Sequence, residues 1–308
     1  MADDFLDGRL TERRNPRSQS IDSASALEIV DLINAEDATV PAAVAAAREP
    51  IARTIDLVEQ AFRSGGRLIY VGAGTSGRLG VLDATECPPT YGSPPDMVVG
   101  VIAGGPPALV RSVEGAEDDE AAGAAAMDEL GIGARDVVIG IAASGTTPYV
   151  GAALHHASSL GARTAFLSCT APPAALVDLC DECITVLVGP EVVTGSTRMK
   201  AGTATKLVLN AITSGAMIRL GKVYGNLMVD LRAWNAKLVD RSRRIVMETT
   251  GLSREAAASV IEAAGGSVKT AIVMARRGGS RAEAEALLEQ HDGRLRPIVG
   301  DPPPMRIT

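Results

Sequence analysis

Apolar residues recur along this chain in two rhythms, and the change comes at Gly65-Gly66. Before the glycine pair, residues 21–34 and 41–64 place apolar side chains every three or four positions, the spacing of helices with one buried face. Pro41 stands where a first helical turn accepts it, and residues 1–20, polar and rich in Arg, form an arm ahead of these helices. After the pair, runs at 67–71, 97–103, 136–142, 163–168 and 184–188 are nearly continuous in Val, Ile, Leu or Ala. Strands covered on both faces look like this. Segments such as 117–130 and 149–160 are long enough to be crossover helices. Strand alternating with helix predicts an α/β fold, a doubly wound five-stranded parallel sheet with right-handed crossovers. From Gly195 onward the pattern turns wholly helical, with long helices at 203–220 and 233–248. Three short helices then span 251–292, separated by Gly265-Gly266 and Gly278-Gly279, and Ser253 caps the first. The expected domains are 1–64 (arm and helices), 65–250 (sheet domain) and 251–308 (a small three-helix module with a proline-rich tail).

Composition narrows the function. Of 308 residues only 3% are aromatic while 46% are hydrophobic, so the core is built from Ala, Val, Leu and Ile. The net charge of −7 argues against nucleic acid, which needs a basic footprint. Cys87, Cys169, Cys180 and Cys183 are few and unevenly spaced, unlike a disulfide framework. Residues 2–4 (Ala-Asp-Asp) offer no basic or apolar leader. Residues 137–162 lack charge, but Ser144-Gly145-Thr146-Thr147-Pro148 and His155-His156 interrupt them, so a membrane span is not expected. A soluble, cytoplasmic protein is the expectation.

Two loops carry candidate chemistry. Gly72-Ala73-Gly74-Thr75-Ser76-Gly77 follows the first strand and opens a helix. Its GxGxxG pattern admits a dinucleotide, yet that ligand wants an acid at the end of the second strand, which here reads Val101-Ile102-Ala103-Gly104-Gly105. A smaller phosphate suits the loop better: a helix N-terminus presents free N–H groups, Gly74 lets the ligand approach, and Thr75 and Ser76 add hydroxyls. Ala143-Ser144-Gly145-Thr146-Thr147-Pro148 repeats the arrangement after the third strand. Ligands of doubly wound sheets sit at the carboxyl ends of strands, so the two loops can converge on one phosphate. Neither ends in the G-K-[ST] of a nucleoside triphosphatase. A third cluster, Gly195-Ser196-Thr197-Arg198-Met199-Lys200, either adds a cation through Lys200 or caps the helix that follows.

These loops, in this order, resemble the sugar isomerase (SIS) domain family. Longer stretches narrow the resemblance: Gly72 to Gly80, Glu86-Cys87-Pro88-Pro89-Thr90-Tyr91-Gly92, Val113 to Asp118, Thr194 to Thr203 and Gly225 to Asp230 are similar to the N-acetylmuramic acid 6-phosphate etherase family. The match runs from about Thr11 to about Asp292. Members often carry Arg where this chain has Thr146, and an arginine there would bind phosphate or the lactyl carboxylate.

The resemblance implies a lyase acting on the open-chain sugar: removal of the C2 proton expels lactate from C3, and water adds to the unsaturated aldehyde. It assigns Glu86 as the acid that protonates lactate and Glu117 as the base at C2, with no metal or redox cofactor. It also implies a homodimer with sites completed across the interface. From the residues alone, Glu86 sits in a loop stiffened by Pro88-Pro89 beyond the helix after the first strand. Glu117, among Glu114, Asp118, Asp119 and Glu120, reads as a solvated helix start. An acid active near neutral pH must be kept protonated, so the two glutamates are expected to differ in environment. Cys180-Asp181-Glu182-Cys183 stands alone, short of a zinc set, and the three histidines have no metal spacing. Rival functions are a non-catalytic sugar-phosphate-binding regulator, like the glucokinase regulatory protein, and an aldose–ketose isomerase.

Overall fold

The computed structural model describes residues 9–231 and 236–304, which form two compact units. The first unit comprises residues 9–85 and Asp96–Thr213; the second comprises Glu86–Pro95 and residues 214–304.

The first unit begins with three 3₁₀ turns, Leu10–Glu12, Pro16–Ser18 and Ile21–Ser23, followed by α1 (Ala26–Asp37), α2 (Val40–Ala46) and α3 (Arg48–Arg63). Ser25 and Glu28 close a capping box at the start of α1, each satisfying the other's free backbone N–H. The sheet strands and their helices then alternate: β1 (Leu68–Gly72), α4 (Gly74–Tyr91), β2 (Val98–Ile102), α5 (Glu120–Glu129), β3 (Val137–Ile141), α6 (Pro148–Ser159), β4 (Arg163–Ser168), α7 (Ala174–Leu179), β5 (Glu182–Thr185) and α8 (Lys200–Arg219). All five strands are parallel, in the order β2-β1-β3-β4-β5. The order reverses between β1 and β3, where Gly72 pairs with Ile141. Ile69, Val71, Val138 and Phe166 on the sheet bury against Val150, Ala153 and Leu154 of α6.

β5 is displaced from the expected 184–188. Its ladder with β4 runs from Glu182 to Thr185, because Arg53 ties the Glu182 carboxylate at 2.7 Å, the Asp181 N–H donates to the Thr164 carbonyl and the Thr164 N–H donates to the Asp181 carboxylate. A larger difference concerns Glu86. The helix after β1 does not stop before Pro88-Pro89; α4 passes through both and ends at Tyr91, where Gly92 (φ 62°) turns the chain with its N–H on the Pro88 carbonyl. Glu86 is therefore a helical residue. Glu117 lies in a 3₁₀ turn, Ala116–Asp118, and α5 starts only at Glu120, where Asp119 caps it.

The second unit is not wholly helical. Val223–Tyr224 and Leu227–Met228 pair antiparallel as a short hairpin, β6 and β7, turning at Gly225 (φ 60°). Around it stand α9 (Ala236–Thr250), α10 (Arg254–Ala263), α11 (Val268–Arg277), α12 (Arg281–Gln290) and α13 (Arg296–Val299). Residues 233–235 of the expected 233–248 helix lie outside the described residues. Val246, Ala257, Ala271, Ile272 and Val273 form the centre of this unit's core. Inside it Lys269 and Lys222 share Asp230, at 2.8 and 3.0 Å. Among the described residues no single helix is long and apolar enough to cross a membrane.

Candidate functional site

The two hydroxyl-rich loops leave neighbouring strands, β1 and β3, at the point where the strand order reverses. Ligands of doubly wound sheets bind outside the carboxyl ends of the strands at such a point. In the first loop Gly74 is exposed with φ 51°, a left-handed conformation that a glycine takes without strain. Gly77 is held close against β2: a Cβ there would come within 2.6 Å of Ile102. Thr75 and Ser76 are half-buried, and the first turn of α8 approaches from the other side, since a Cβ on Gly202 would lie 3.6 Å from the Thr75 methyl.

In the second loop Gly145 (φ 80°) packs on Thr170. Thr147 is the N-cap residue of α6 but its hydroxyl makes no capping bond, and Pro148 occupies the first turn. Thr146 meets a residue that sequence reasoning left in the arm: Arg9 Nη1 donates to its Oγ1 at 2.9 Å. The adjacent Leu10 N–H donates to Thr170 Oγ1 at 3.3 Å. A guanidinium thus stands at a loop that has no cation of its own. No local signal announces this, because 137 positions separate the partners.

Lys200 lies elsewhere. The residue is 2% exposed and its ammonium reaches Glu36 Oε2 at 2.5 Å, and its backbone N–H and that of Ala201 donate to Glu191 at 3.0 and 2.9 Å. Glu191 is the carboxylate at the N-terminus of α8; burial pushes its pKa up, against those two backbone bonds and the Lys200 charge. Glu36 also accepts from Asn15, whose side chain donates in addition to the Pro190 carbonyl, so the ion pair fastens the arm across the unit.

Glu117 lines a cavity of about 360 Å³ with Gly74, Arg78, Arg111, Ser112 and Glu114. That volume is within the range of small-molecule sites. The wall is residues 105–118, a hoop that leaves β2 at Gly104-Gly105 (φ 81° and 65°) and returns at α5. Arg78 Nε donates to the Leu109 carbonyl and holds this hoop to α4. The first loop and Glu117 thereby face one space. Glu86 belongs to the second unit and is exposed, as Glu117 is in the first; burial within the chain does not distinguish them. A further cavity, about 1010 Å³, opens beside Thr146 and Thr147 along α6. His156 at its rim pairs with Asp128 at 2.7 Å on the helix surface. The free thiols of Cys180 and Cys183 share a hydrogen bond, which holds Cys183 below its ordinary pKa and, with burial, Cys180 above it.

Residues 50–158 match the family model of the glucokinase regulatory protein N-terminal SIS domain. Along 296 residues, 96% of this chain, the sequence is 54% identical to the N-acetylmuramic acid 6-phosphate etherase of Edwardsiella ictaluri (strain 93-146), covering 98% of that protein. The chain belongs to the N-acetylmuramic acid 6-phosphate etherase family. Its similarity to the etherase of Rhodopirellula baltica (strain DSM 10527 / NCIMB 13988 / SH1) is equally extensive, 54% over 95% of this chain and 96% of that one. Among solved structures, a phosphoheptose isomerase from Francisella tularensis superposes with a TM-score of 0.51 at 16% identity, over 63% of this chain and all of that one. At that identity the likeness shows a shared fold, the SIS-type parallel sheet.

Proposed function

We infer that this chain is a carbon–oxygen lyase that cleaves the D-lactyl ether of N-acetylmuramic acid 6-phosphate, giving N-acetylglucosamine 6-phosphate and D-lactate in cell-wall amino-sugar recycling. The observation that carries the reading is 54% identity to a curated etherase along 96% of the chain. In the open-chain sugar, Glu117 takes the proton from C2, the C3–O bond breaks, and Glu86 gives a proton to the departing lactate oxygen. Water then adds across C2=C3, its hydroxyl to C3 and its proton to C2, so the sum is hydrolysis without oxidation.

Gly74, Thr75 and Ser76 of the first loop, with Ser144, Gly145, Thr146 and Thr147 of the second, receive the 6-phosphate on backbone and hydroxyl donors. Arg9 supports the second loop through Thr146. Lys200 makes no phosphate contact in this reading; it holds Glu36 and through it the arm. The enzyme acts as a cytoplasmic homodimer whose sites are completed at the interface.

Lactate release from N-acetylmuramic acid 6-phosphate is the test. Wild type releases lactate, and Glu86→Gln and Glu117→Gln each reduce kcat on the order of 10²–10⁴-fold, the range of a lost general acid or base, while still binding the sugar phosphate. A wild-type protein that binds the sugar phosphate tightly and releases no lactate would leave a binding regulator in place of an enzyme.

A further inference from the structure

The hoop that carries Glu117 also carries an uncommitted cation. Two guanidinium groups line its cavity, those of Arg78 and Arg111. Arg78 lies in α4 and its Nε is spent on the Leu109 carbonyl at 3.2 Å. Arg111 belongs to the hoop itself and is exposed; its backbone N–H donates to the Pro107 carbonyl at 3.1 Å, but its guanidinium makes no hydrogen bond or ion pair among the described residues.

We propose that Arg111 reads the carboxylate of the substrate's D-lactyl group and is thereby a specificity-determining residue for the ether cleavage. The proposal rests on the function inferred above, and its argument is one of tether length. From C2, which loses its proton, four bonds lead through C3, the ether oxygen and the lactyl carbon to the carboxylate carbon. At roughly 1.5 Å per bond the two stay within about 5 Å of each other. A cation that reads the carboxylate must therefore line the same cavity as the base at C2. Glu117 and Arg111 line one cavity and sit on one hoop.

Charge and shape select Arg111 for the part. Glu114 and Glu117 place two carboxylates in the cavity against the two guanidiniums. An incoming carboxylate thus meets no net positive field there and needs a dedicated partner. A free guanidinium supplies it, because its planar fork matches both oxygens of a carboxylate. A 6-phosphorylated amino sugar without the lactyl acid engages the phosphate loops equally well but leaves Arg111 unpaired.

The test measures kcat/KM for lactate or lactamide release by wild type, Arg111→Gln and Arg111→Lys. The substrates are N-acetylmuramic acid 6-phosphate and the analogue in which a carboxamide replaces the lactyl carboxylate. Comparing each variant with wild type on both substrates cancels the intrinsic difference between the leaving groups. Arg111→Gln is expected to fall on the order of 10²-fold on the acid and less than about threefold on the amide, the scale of a lost charge-assisted bond. Arg111→Lys keeps the charge without the fork and takes an intermediate value. Equal losses on both substrates would show a merely structural arginine and overturn the proposal, as would no loss on either. Wild type releasing nothing from the acid would overturn the etherase reading itself, a result distinct from either of these. Because Arg111 is exposed, its replacement leaves the core intact.

Discussion

Lys200 and Glu36 form an ion pair with 2% and 5% of their surfaces exposed, a burial that only a partner on each side makes tolerable. Removing Glu36 strands the Lys200 ammonium, whereas Glu36 without Lys200 keeps Arg17 and Asn15. Glu36→Gln is expected to cost about 3–5 kcal/mol in urea unfolding, while Glu36→Gln with Lys200→Met together costs much less, since no charge of the pair then remains buried. The same pair sets a pH dependence. Burial by itself raises the Glu36 pKa, but the bonds from Lys200 and Asn15 and the charges of Lys200 and Arg17 outweigh it and leave the group below 4.5. A depressed carboxyl contributes stability that is complete above its unfolded pKa and is lost as pH falls through the folded value. Unfolding free energy should therefore decline below about pH 4.5, and Glu36→Gln should flatten that decline. Asp136 adds to it in the same direction: burial raises its pKa, and Arg67 with the Gly133 N–H more than reverses this, so it ends below 3.8. At this scale the sequence was least legible. Lys200 stood in a hydroxyl-rich cluster suited to a phosphate, and nothing local tells that its ammonium turns inward to a residue 164 positions away. Arg9 on Thr146 was equally invisible, because a partner 137 positions away leaves no periodic trace, and a free guanidinium such as that of Arg111 reads in sequence like any surface arginine.

The elements were far more legible, for a physical reason. A strand covered on both faces is apolar at nearly every position, so β1 and β3, buried throughout, announced themselves as near-continuous runs; β2 and β4 carry such runs at their centres, and β4 begins and ends where it was expected. β5, only partly covered, carries Glu182 and Thr185 in its ladder, and its run misled by two positions at the start and three at the end. The prolines of α4 suggested a stop because each removes a helical donor; the helix forgoes those bonds and continues. Two-residue strands such as β6 and β7 are too short to show any period. Helix packing gives a sharp prediction here. Gly123 of α5 lies so close to α6 that a Cβ would come within 2.2 Å of the Tyr149 carbonyl oxygen, whereas Gly151 of α6 has open space at that position. Gly123→Ala should push the helices apart and cost about 1–3 kcal/mol. Gly151→Ala should instead stabilise by up to about 1 kcal/mol, because alanine is the better helix former. Chemical denaturation of the two variants side by side checks both signs.

For the whole molecule, the proposed chemistry asks for more than one chain displays. A general acid must hold its proton near neutral pH, and removal from water is the strongest way to achieve that. Glu86 and Glu117 are both exposed in the single chain. Apolar side chains of the first unit are also exposed near Glu117: Leu82 in α4 is 42% exposed, and in the hoop before Glu117 the values are 39% for Leu109, 86% for Val110 and 43% for Val113. Exposed apolar groups gathered beside polar catalytic candidates mark a surface that another protein covers, and the proposed homodimer offers a second copy as that cover. Val110 tests the idea cleanly, since at 86% exposure its replacement cannot disturb the fold of its own chain. Val110→Asp should shift the monomer–dimer equilibrium toward monomer in sedimentation velocity. Lactate release per chain should fall with it, and recover as protein concentration rises and mass action restores the dimer. If Val110→Asp sediments as a monomer yet turns over at the wild-type rate, each chain completes its own site and the interface has no part in catalysis.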